Sequence, residues 1–296
     1  MRISQQQIVN GSLDRLRKRL EQYEDVQTKL STGKALQRPS ENPGTMNSIL
    51  SLKGSQRARE QEARNASEGQ TWINLGDSKL QNANDAMKRA HDLLVRAASP
   101  MTASEKDAIA TELEGIREEI VALANARHQG QGLFAGFSAN NAVGQVAGVW
   151  TFTGDAGLME RRIGEGETVQ VQISGDQVFG FNAGAGQDVF SVLDRAANAV
   201  RTGTATDVDA SMAEVETSSS RVLDGLARLG AVGARIERVL LRNADEQITL
   251  KGELSEMQDV DLAEMVMELQ LQEVAYQATL GALSKAVQPS LLDFLR

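Results

Sequence analysis

Apolar residues recur at alternating steps of three and four positions near both ends of the 296-residue chain. This spacing is typical of helices that pack along a coiled-coil seam. It predicts a first helix over about residues 4–30 and a last helix with the same stripe. We therefore expect the two terminal helices to lie side by side. The predicted seam positions are Val9, Leu13, Leu16, Leu20, Tyr23, Gln27 and Leu30, and Leu262, Met265, Leu269, Gln272, Tyr276, Thr279 and Leu283.

Long helices are also predicted inside the chain. The four prolines lie between periodic segments or near the C-terminus, so they interrupt no predicted helix. A second helix over 45–98 would be about 80 Å long at ~1.5 Å per residue, which indicates an elongated molecule. Thr102 and Glu105 predict a capping box for a third helix. Thr206 or Asp207 is expected to cap the helix that carries the stripe over 215–240.

A glycine-rich segment of different character interrupts the helices at 130–187. The sequences VWTFTG at 149–154 and TVQVQIS at 168–174 alternate as short strands do. This alternation predicts Val169, Val171 and Ile173 on one side of the second strand, with Gln170 and Gln172 on the other. The predicted fold class is mainly α with a small β-rich insertion in the middle of the chain. We expect an elongated antiparallel helical coiled-coil rod with its N- and C-termini paired.

The pattern divides the chain into three expected domains. Residues 1–42 and 257–296 would form a terminal helical inner domain, and residues 43–130 and 187–256 a bundle of long helices. Residues 131–186 would form the β-rich outer insertion.

Composition excludes several classes of function. The net charge of −9 argues against nucleic acid as the main partner. No apolar run approaches the ~20 residues of a membrane span, and the polar start lacks the apolar core of a secretory signal peptide. The absence of cysteine excludes disulfides and thiolate chemistry, and two histidines leave little room for a metal cluster. No catalytic, metal or cofactor site is predicted.

The charges of the two ends are opposite. Residues 1–40 carry eight basic and four acidic residues, and residues 257–296 carry two basic and six acidic residues. One hypothesis is that a basic cluster on the first helix faces acidic residues of the last helix. The alternative is that the cluster is a solvated helix face. The residues in question are Arg15, Arg17, Lys18 and Arg19, and Asp259, Asp261, Glu264 or Glu268.

Several motifs resemble the flagellin superfamily, and within it the hook-associated junction proteins. Near the N-terminus these are LSTGK at 30–34 and PSENP at 39–43, in which Asn42 replaces the second of two acidic residues. In the C-terminal half they are GQDVFSVL at 186–193, DLAE at 261–264, LQLQ at 269–272 and SLLDFL at 290–295. The resemblance covers about residues 1–130 and 186–296.

The resemblance implies a structural subunit of the bacterial flagellum at the hook–filament junction, not an enzyme. It implies export through the flagellar type III apparatus, an extracellular location, and a homo-oligomeric ring in the flagellar axis. The implied partners are the other hook-associated protein, flagellin and a flagellar export chaperone, with no cofactor. By the same resemblance Leu291, Leu292 and Phe294 join the seam residues as an assembly interface. The alternatives are a filament flagellin, or a coiled-coil adaptor or signalling protein of a different class.

Apolar residues also lie off the two predicted seams, at Val26, Val266 and Leu271. A lone helix pair cannot bury side chains on more than one face. We therefore expect both ends to be mobile in the monomer and to become ordered when subunits pack.

Overall fold

The computed structural model of the chain describes residues 2–155 and 157–287. The chain forms two compact units. Unit 1 comprises Met1–Ala58 and Glu246–Arg296, and unit 2 comprises Arg59–Asp245. The three-domain division expected from the sequence stays a prediction.

Helices account for most of the described residues, and short strands lie in the middle of the chain. This arrangement confirms a mainly α fold with a small β-rich insertion. The helices are α1 (Arg2–Thr32), α2 (Pro43–Ala97), α3 (Ala103–Ala124), α4 (Gly175–Val178), α5 (Val189–Thr202), α6 (Ala205–Gln258) and α7 (Leu262–Val287). The strands are β1 (Arg127–His128), β2 (Gln131–Gly132), β3 (Val143–Val146), β4 (Val149–Phe152), β5 (Glu160–Gly164) and β6 (Glu167–Gln170). The strands form three antiparallel two-stranded sheets, β1 with β2, β3 with β4, and β5 with β6.

Unit 2 contains nearly all of the buried apolar side chains in the described part of the protein. Helices α3 and α5 pack against each other there. Phe134, Phe179 and Phe190 are fully buried, and the Phe134 and Phe179 rings meet edge to face at 5.6 Å between centroids. The rest of this core is mainly aliphatic. Unit 2 therefore has a core of its own, in which three phenylalanines from the β-rich insertion and α5 meet.

Two helices of unit 2 begin with capping boxes. As predicted, the Thr102 hydroxyl accepts a hydrogen bond from the Glu105 N–H, and the Glu105 carboxylate accepts one from the Thr102 N–H at 2.8 Å. The predicted cap of α6 was wrong by a few residues, because Thr204 is the capping residue. Its hydroxyl accepts from the Asp207 N–H, and the Asp207 carboxylate accepts from the Thr204 N–H at 2.7 Å. Hydrogen bonds from the backbone and then the hydroxyl of these threonines lower the pKa of Glu105 and of Asp207.

The predicted second strand is shorter than its alternating sequence suggested. Val169, Val171 and Ile173 are buried, and so is Gln172, which was predicted on the opposite side of the strand. Strand β6 ends at Gln170, and the strict two-sided alternation does not continue beyond that residue. The Gln172 amide donates hydrogen bonds to the carbonyls of three residues in the loop over 132–136, at 2.9 to 3.3 Å.

Ion pairs attach the last hairpin of unit 2 to α6. The Glu167 carboxylate accepts hydrogen bonds from Arg235 at 2.9 Å and from Arg242 at 3.1 Å. These two guanidinium groups hold the pKa of Glu167 below its ordinary value of 4.5, with Arg235 contributing most. The turn between β5 and β6 is thereby fixed on the surface of α6.

Candidate assembly interface

Helices α1 and α7 pack against each other in unit 1, which confirms the predicted pairing of the terminal helices. The turn after α1 meets the junction between α6 and α7. The Ala35 N–H donates to the Gln258 carbonyl at 2.7 Å, and the Val260 N–H donates to the Gly33 carbonyl at 3.1 Å. Lys34 and Asp259 form an antiparallel β-bridge between these two bonds. The end of α1 is therefore held beside the start of α7, so the two helices run antiparallel.

Gly33 ends α1 in the LSTGK turn. Its φ is +69°, in the left-handed region, and its N–H donates to the Lys29 carbonyl at 2.8 Å. No heavy atom lies within 4 Å of the position that a Cβ would occupy. The turn therefore needs glycine for its backbone conformation and not for lack of space.

Side-chain caps fix the starts of α2 and α7. The Asn42 side chain accepts a hydrogen bond from the Thr45 N–H at 3.1 Å, and Pro43 is the first residue of α2. Asn42, which replaces an acidic residue of the family motif, caps the helix without a charge. The Asp261 carboxylate accepts from the Ala263 N–H at 2.8 Å at the start of α7. The motifs that suggested the family thus set the ends of the helices that enter and leave unit 1.

The seam on α1 follows a slightly different stripe from the predicted one. Leu16, Tyr23 and Leu30 are half-buried, but Leu13 and Leu20 are each 39% exposed. Val26 was assigned to a position off the seam, and this was wrong because it is only 7% exposed. Two heptad registers share positions 16, 23 and 30, so sequence spacing alone does not choose between them.

The predicted seam on α7 agrees better with the observed burial. Met265, Leu269, Gln272, Tyr276, Thr279 and Leu283 are all half-buried. Leu262 is the exception at 58% exposed, because it is the first residue of the helix. The Val9 side chain and the residues Leu291, Leu292 and Phe294 lie outside the part of the chain that the structure describes.

A second apolar stripe runs along α7, and we call it the outer stripe. It consists of Met267, Leu271 and Val274, which are 64%, 63% and 66% exposed. Residues advance by about 100° each around a helix, so Tyr276 in the seam lies about 180° from Met267. Helix α7 therefore carries apolar residues on two opposite faces, and among the residues that the structure describes only the seam face is covered. The sequence interpretation placed Leu271 off the seam but did not recognise that it continues one stripe with Met267 and Val274. The steps of four and three between these residues are the signal.

Very few apolar side chains are buried in the described part of unit 1. Among the residues described in unit 1, Val26 and Ile49 are the buried apolar ones. Burying a Leu- or Val-sized side chain contributes about 1.5–3 kcal/mol, so this unit obtains little stability from its own core. Another molecule that packs on unit 1 would bury its exposed apolar side chains and so add the stability that its own core lacks.

The hypothesis that the basic cluster of α1 faces the acidic start of α7 is wrong within one chain. The antiparallel register places Arg15, Lys18 and Arg19 along a groove whose other wall contains Ala278, Thr279 and Ala282. Asp259 lies instead beside Lys34 at the opposite end of α1. In the described part of the chain, no ion pair joins α1 to α7; Arg17, for example, lies 4.0 Å from Asp14 of its own helix.

Two kinds of site are absent from the described residues. Residues 2–155 and 157–287 contain no cluster of three or more His, Asp or Glu side chains that could hold a metal ion. Within the same ranges, no helix combines the length and the apolar character needed to cross a membrane.

Comparison with known families agrees with the helical pairing. The model of the bacterial flagellin N-terminal helical region matches residues 3–139, and that of the bacterial flagellin C-terminal helical region matches residues 208–295. The chain therefore belongs to the bacterial flagellin superfamily, a family of structural flagellar proteins.

Full-length relatives are similar to this chain over nearly all of its sequence. The flagellar hook-associated protein 3 of Salmonella typhimurium is 22% identical over 302 residues, which cover 94% of this chain and 95% of that protein. The flagellar hook-associated protein 3 of Escherichia coli is 24% identical and covers 86% of each chain. The crystal structure of FlgL from Xanthomonas campestris aligns with a TM-score of 0.61 and 20% identity, covering 69% of this chain and 99% of that one. The structural similarity shows that the fold is shared.

Proposed function

We propose that the chain is a structural subunit of the bacterial flagellum that sits at the hook–filament junction. It would act by packing its terminal helices against neighbouring subunits and would carry out no catalysis. The observation that carries the proposal is that α7 has apolar residues on two opposite faces, in a unit whose described residues bury almost no apolar side chains. Such a helix is incomplete in one chain and is completed by assembly.

The finer parts of the proposal concern the partners and the route to them. Copies of the chain would form a ring in the flagellar axis, in contact with the other hook-associated protein on one side and flagellin on the other. The chain would reach this extracellular position through the flagellar type III apparatus, bound beforehand by an export chaperone. Within the ring, residues 1–42 and 257–296 would form the inner domain and residues 131–186 would point outward.

Deletion of the gene tests this function against filament flagellin. A junction subunit predicts cells that keep their hooks, secrete flagellin into the medium and carry no stable filaments. A filament subunit predicts the absence of that flagellin itself, with the junction proteins still in place. A coiled-coil adaptor or signalling protein predicts normal filaments and a chain that stays inside the cell. Complementation with the intact gene is the control, and retention of normal filaments by the deletion strain would reject the proposal.

A further inference from the structure

We propose that a cleft in unit 2 binds a carboxylate side chain carried by an acidic peptide segment of a partner protein. The cleft lies between α6 and the segment 173–182, which contains α4, and its volume is about 390 Å³. We call it the arginine cleft, after Arg221 and Arg228 of α6, which both line it. All of its lining residues belong to unit 2, so the terminal helices contribute nothing to it.

The two arginines of the cleft lack the acidic partners that most arginines of unit 2 have. Arg195 is typical of the others, because it reaches from α5 to the Glu214 carboxylate on α6 at 2.8 Å. Within residues 2–155 and 157–287, no carboxylate forms an ion pair with Arg221 or Arg228. Arg127 also bonds to carbonyl oxygens alone, but it lies outside the cleft. The arginine cleft therefore holds two positive charges that the described part of the chain does not neutralise.

Both guanidinium groups bond across the cleft to neutral oxygens. Arg221 donates to the Gln187 carbonyl at 2.8 Å, and Arg228 donates to the Gln177 side-chain oxygen at 2.9 Å. Asp224 lies three residues after Arg221 and four before Arg228, a spacing at which ion pairs form along a helix, yet it pairs with neither. Each guanidinium has several N–H donors, so donors remain for a ligand.

Gly180 makes room for the bond of Arg221. Its φ is +85°, and a Cβ at this position would lie 2.7 Å from Arg221 Nη1 and 3.0 Å from the Gln187 carbonyl oxygen. A larger residue would therefore push the guanidinium away from the carbonyl. The Arg221 side chain is half-buried, so its charge is held at a fixed place in the wall before any ligand arrives.

The lining of the cleft selects a carboxylate that belongs to a peptide. Two arginines and one aspartate, Asp224, line it, so its net charge of +1 suits a ligand with a single negative charge. Arginine binds a planar carboxylate through two parallel hydrogen bonds, whereas the second charge of a phosphate would be repelled by Asp224. Ile173 and Val178 are buried and offer an apolar surface to the methylene groups of a glutamate. The side-chain amides of Gln177 and Asn182 can bond to peptide N–H and C=O groups, which a free organic acid lacks.

Nuclear magnetic resonance of the full chain with isotope-labelled arginine tests the site. The probe is the blocked peptide acetyl-Ala-Glu-Ala-amide, and the signals to follow are those of the Arg221 and Arg228 guanidinium groups. We expect both signals to shift and to saturate as the peptide is added. The neutral peptide acetyl-Ala-Gln-Ala-amide is the matched control and should cause no saturable shift. Succinate, as a free carboxylate, and inorganic phosphate should each bind at least about tenfold more weakly than the glutamate peptide.

Substitutions in the cleft separate binding from a merely structural role. Arg221→Gln and Arg228→Gln should each weaken binding of the glutamate peptide by about tenfold or more, because each removes charged hydrogen bonds. Arg238→Gln is the matched control, since Arg238 is exposed on α6 outside the cleft, and it should leave binding unchanged. Asp224→Asn should strengthen binding, because it removes the negative charge that opposes the ligand. The thermal unfolding of each variant, followed by tryptophan fluorescence, shows whether unit 2 is still folded.

Four results would overturn the inference. The first is the absence of a saturable shift with the glutamate peptide, or an equal shift with its glutamine counterpart. The second is binding of succinate as tight as that of the peptide, which would assign the cleft to free organic acids. Phosphate that binds as tightly would reject selection for a carboxylate, and weaker binding by Asp224→Asn would reject the electrostatic argument. None of these results bears on the proposed place in the flagellum, which gene deletion tests separately.

Discussion

The turn that ends α1 offers the most direct test of how unit 1 is held together. Gly33 has a φ of +69° and open space around its Cβ position, whereas Gly54 lies within α2 of the same unit, also with nothing within 4 Å. Replacing each by alanine adds the same methyl group without a clash. The two substitutions should nevertheless change the stability of unit 1 in opposite directions.

The magnitudes follow from backbone conformation. A Cβ at a residue in the left-handed region destabilises the folded chain by about 1–2 kcal/mol. Replacing glycine by alanine also lowers the entropy of the unfolded chain, which offsets about 0.4–1 kcal/mol of that cost. Gly33→Ala should therefore lower the free energy of unfolding by about 0.5–1 kcal/mol. Gly54→Ala should raise it by about 0.5–1 kcal/mol, because alanine favours a helix interior over glycine.

The aromatic residues allow the two units to be followed separately. Both tyrosines, Tyr23 and Tyr276, lie in the seam of unit 1, and both tryptophans, Trp72 and Trp150, lie in unit 2. In urea, at chain concentrations at which copies associate and unit 1 is ordered, near-ultraviolet circular dichroism of tyrosine reports unit 1 once the tryptophan contribution is subtracted. Tryptophan fluorescence excited at its red edge reports unit 2 and supplies that correction. With a slope of about 1–2 kcal/mol per molar urea, each substitution should move the tyrosine midpoint by about 0.5 M.

Three results would refute this reasoning. One is a Gly33→Ala midpoint equal to or above that of the natural chain. Another is a Gly54→Ala midpoint that falls. The third is an equal shift of the tryptophan transition in either variant. The tyrosine midpoint of Gly33→Asn should lie between those of the natural chain and Gly33→Ala, since asparagine tolerates the left-handed conformation better than alanine does.

Three further predictions concern the caps, the ion pairs and the dynamics of the chain. Asp261→Ala should lower the tyrosine-reported stability by about 1 kcal/mol because α7 loses its cap, and Asp261→Ser should recover most of it. Since the pKa of Glu167 is lowered in the folded chain, its stabilisation of unit 2 is present above its ordinary value of 4.5 and is lost as the pH falls through the lowered pKa. Glu167→Gln should therefore be less stable than the natural chain at neutral pH in tryptophan-monitored denaturation, and the difference should shrink below about pH 4.5; a constant difference down to pH 2 would contradict this. In dilute monomer, amide hydrogen exchange should be faster in α1 and α7 than in α3 and α5, and strong protection over 5–30 and 262–285 would argue against the expectation.

Much of the fold was predictable because helical periodicity is a strong signal over long segments. The pairing of α1 with α7 followed from matched stripes, and the third helix was marked by the Thr102 capping box. The cap of α6 was misplaced because several threonines and an aspartate near 204–207 all suit a capping position. The burial of Gln172 was not predictable, because it depends on carbonyls from a loop some forty residues earlier.

The candidate interface was predictable only in part. Positions 16, 23 and 30 belong to two possible heptad registers, and the burial of Val26 became evident only from the packing of α7 on α1. Apolar residues off the seam of α7 were recognised at Val266 and Leu271, but the steps of four and three that join Met267, Leu271 and Val274 were not recognised as a second stripe. The hypothesis of ion pairs across the seam was wrong because it was inferred from the net charges of the two ends. The register of α1 against α7 is set instead by backbone hydrogen bonds near Gly33.

The central claim is that this chain is a building block of the hook–filament junction. Electron microscopy of intact flagella labelled with a gold-conjugated antibody against the chain tests it most directly. The account predicts gold confined to a narrow band where the hook meets the filament. Label spread along the filament, or confined to the cell interior, would contradict it.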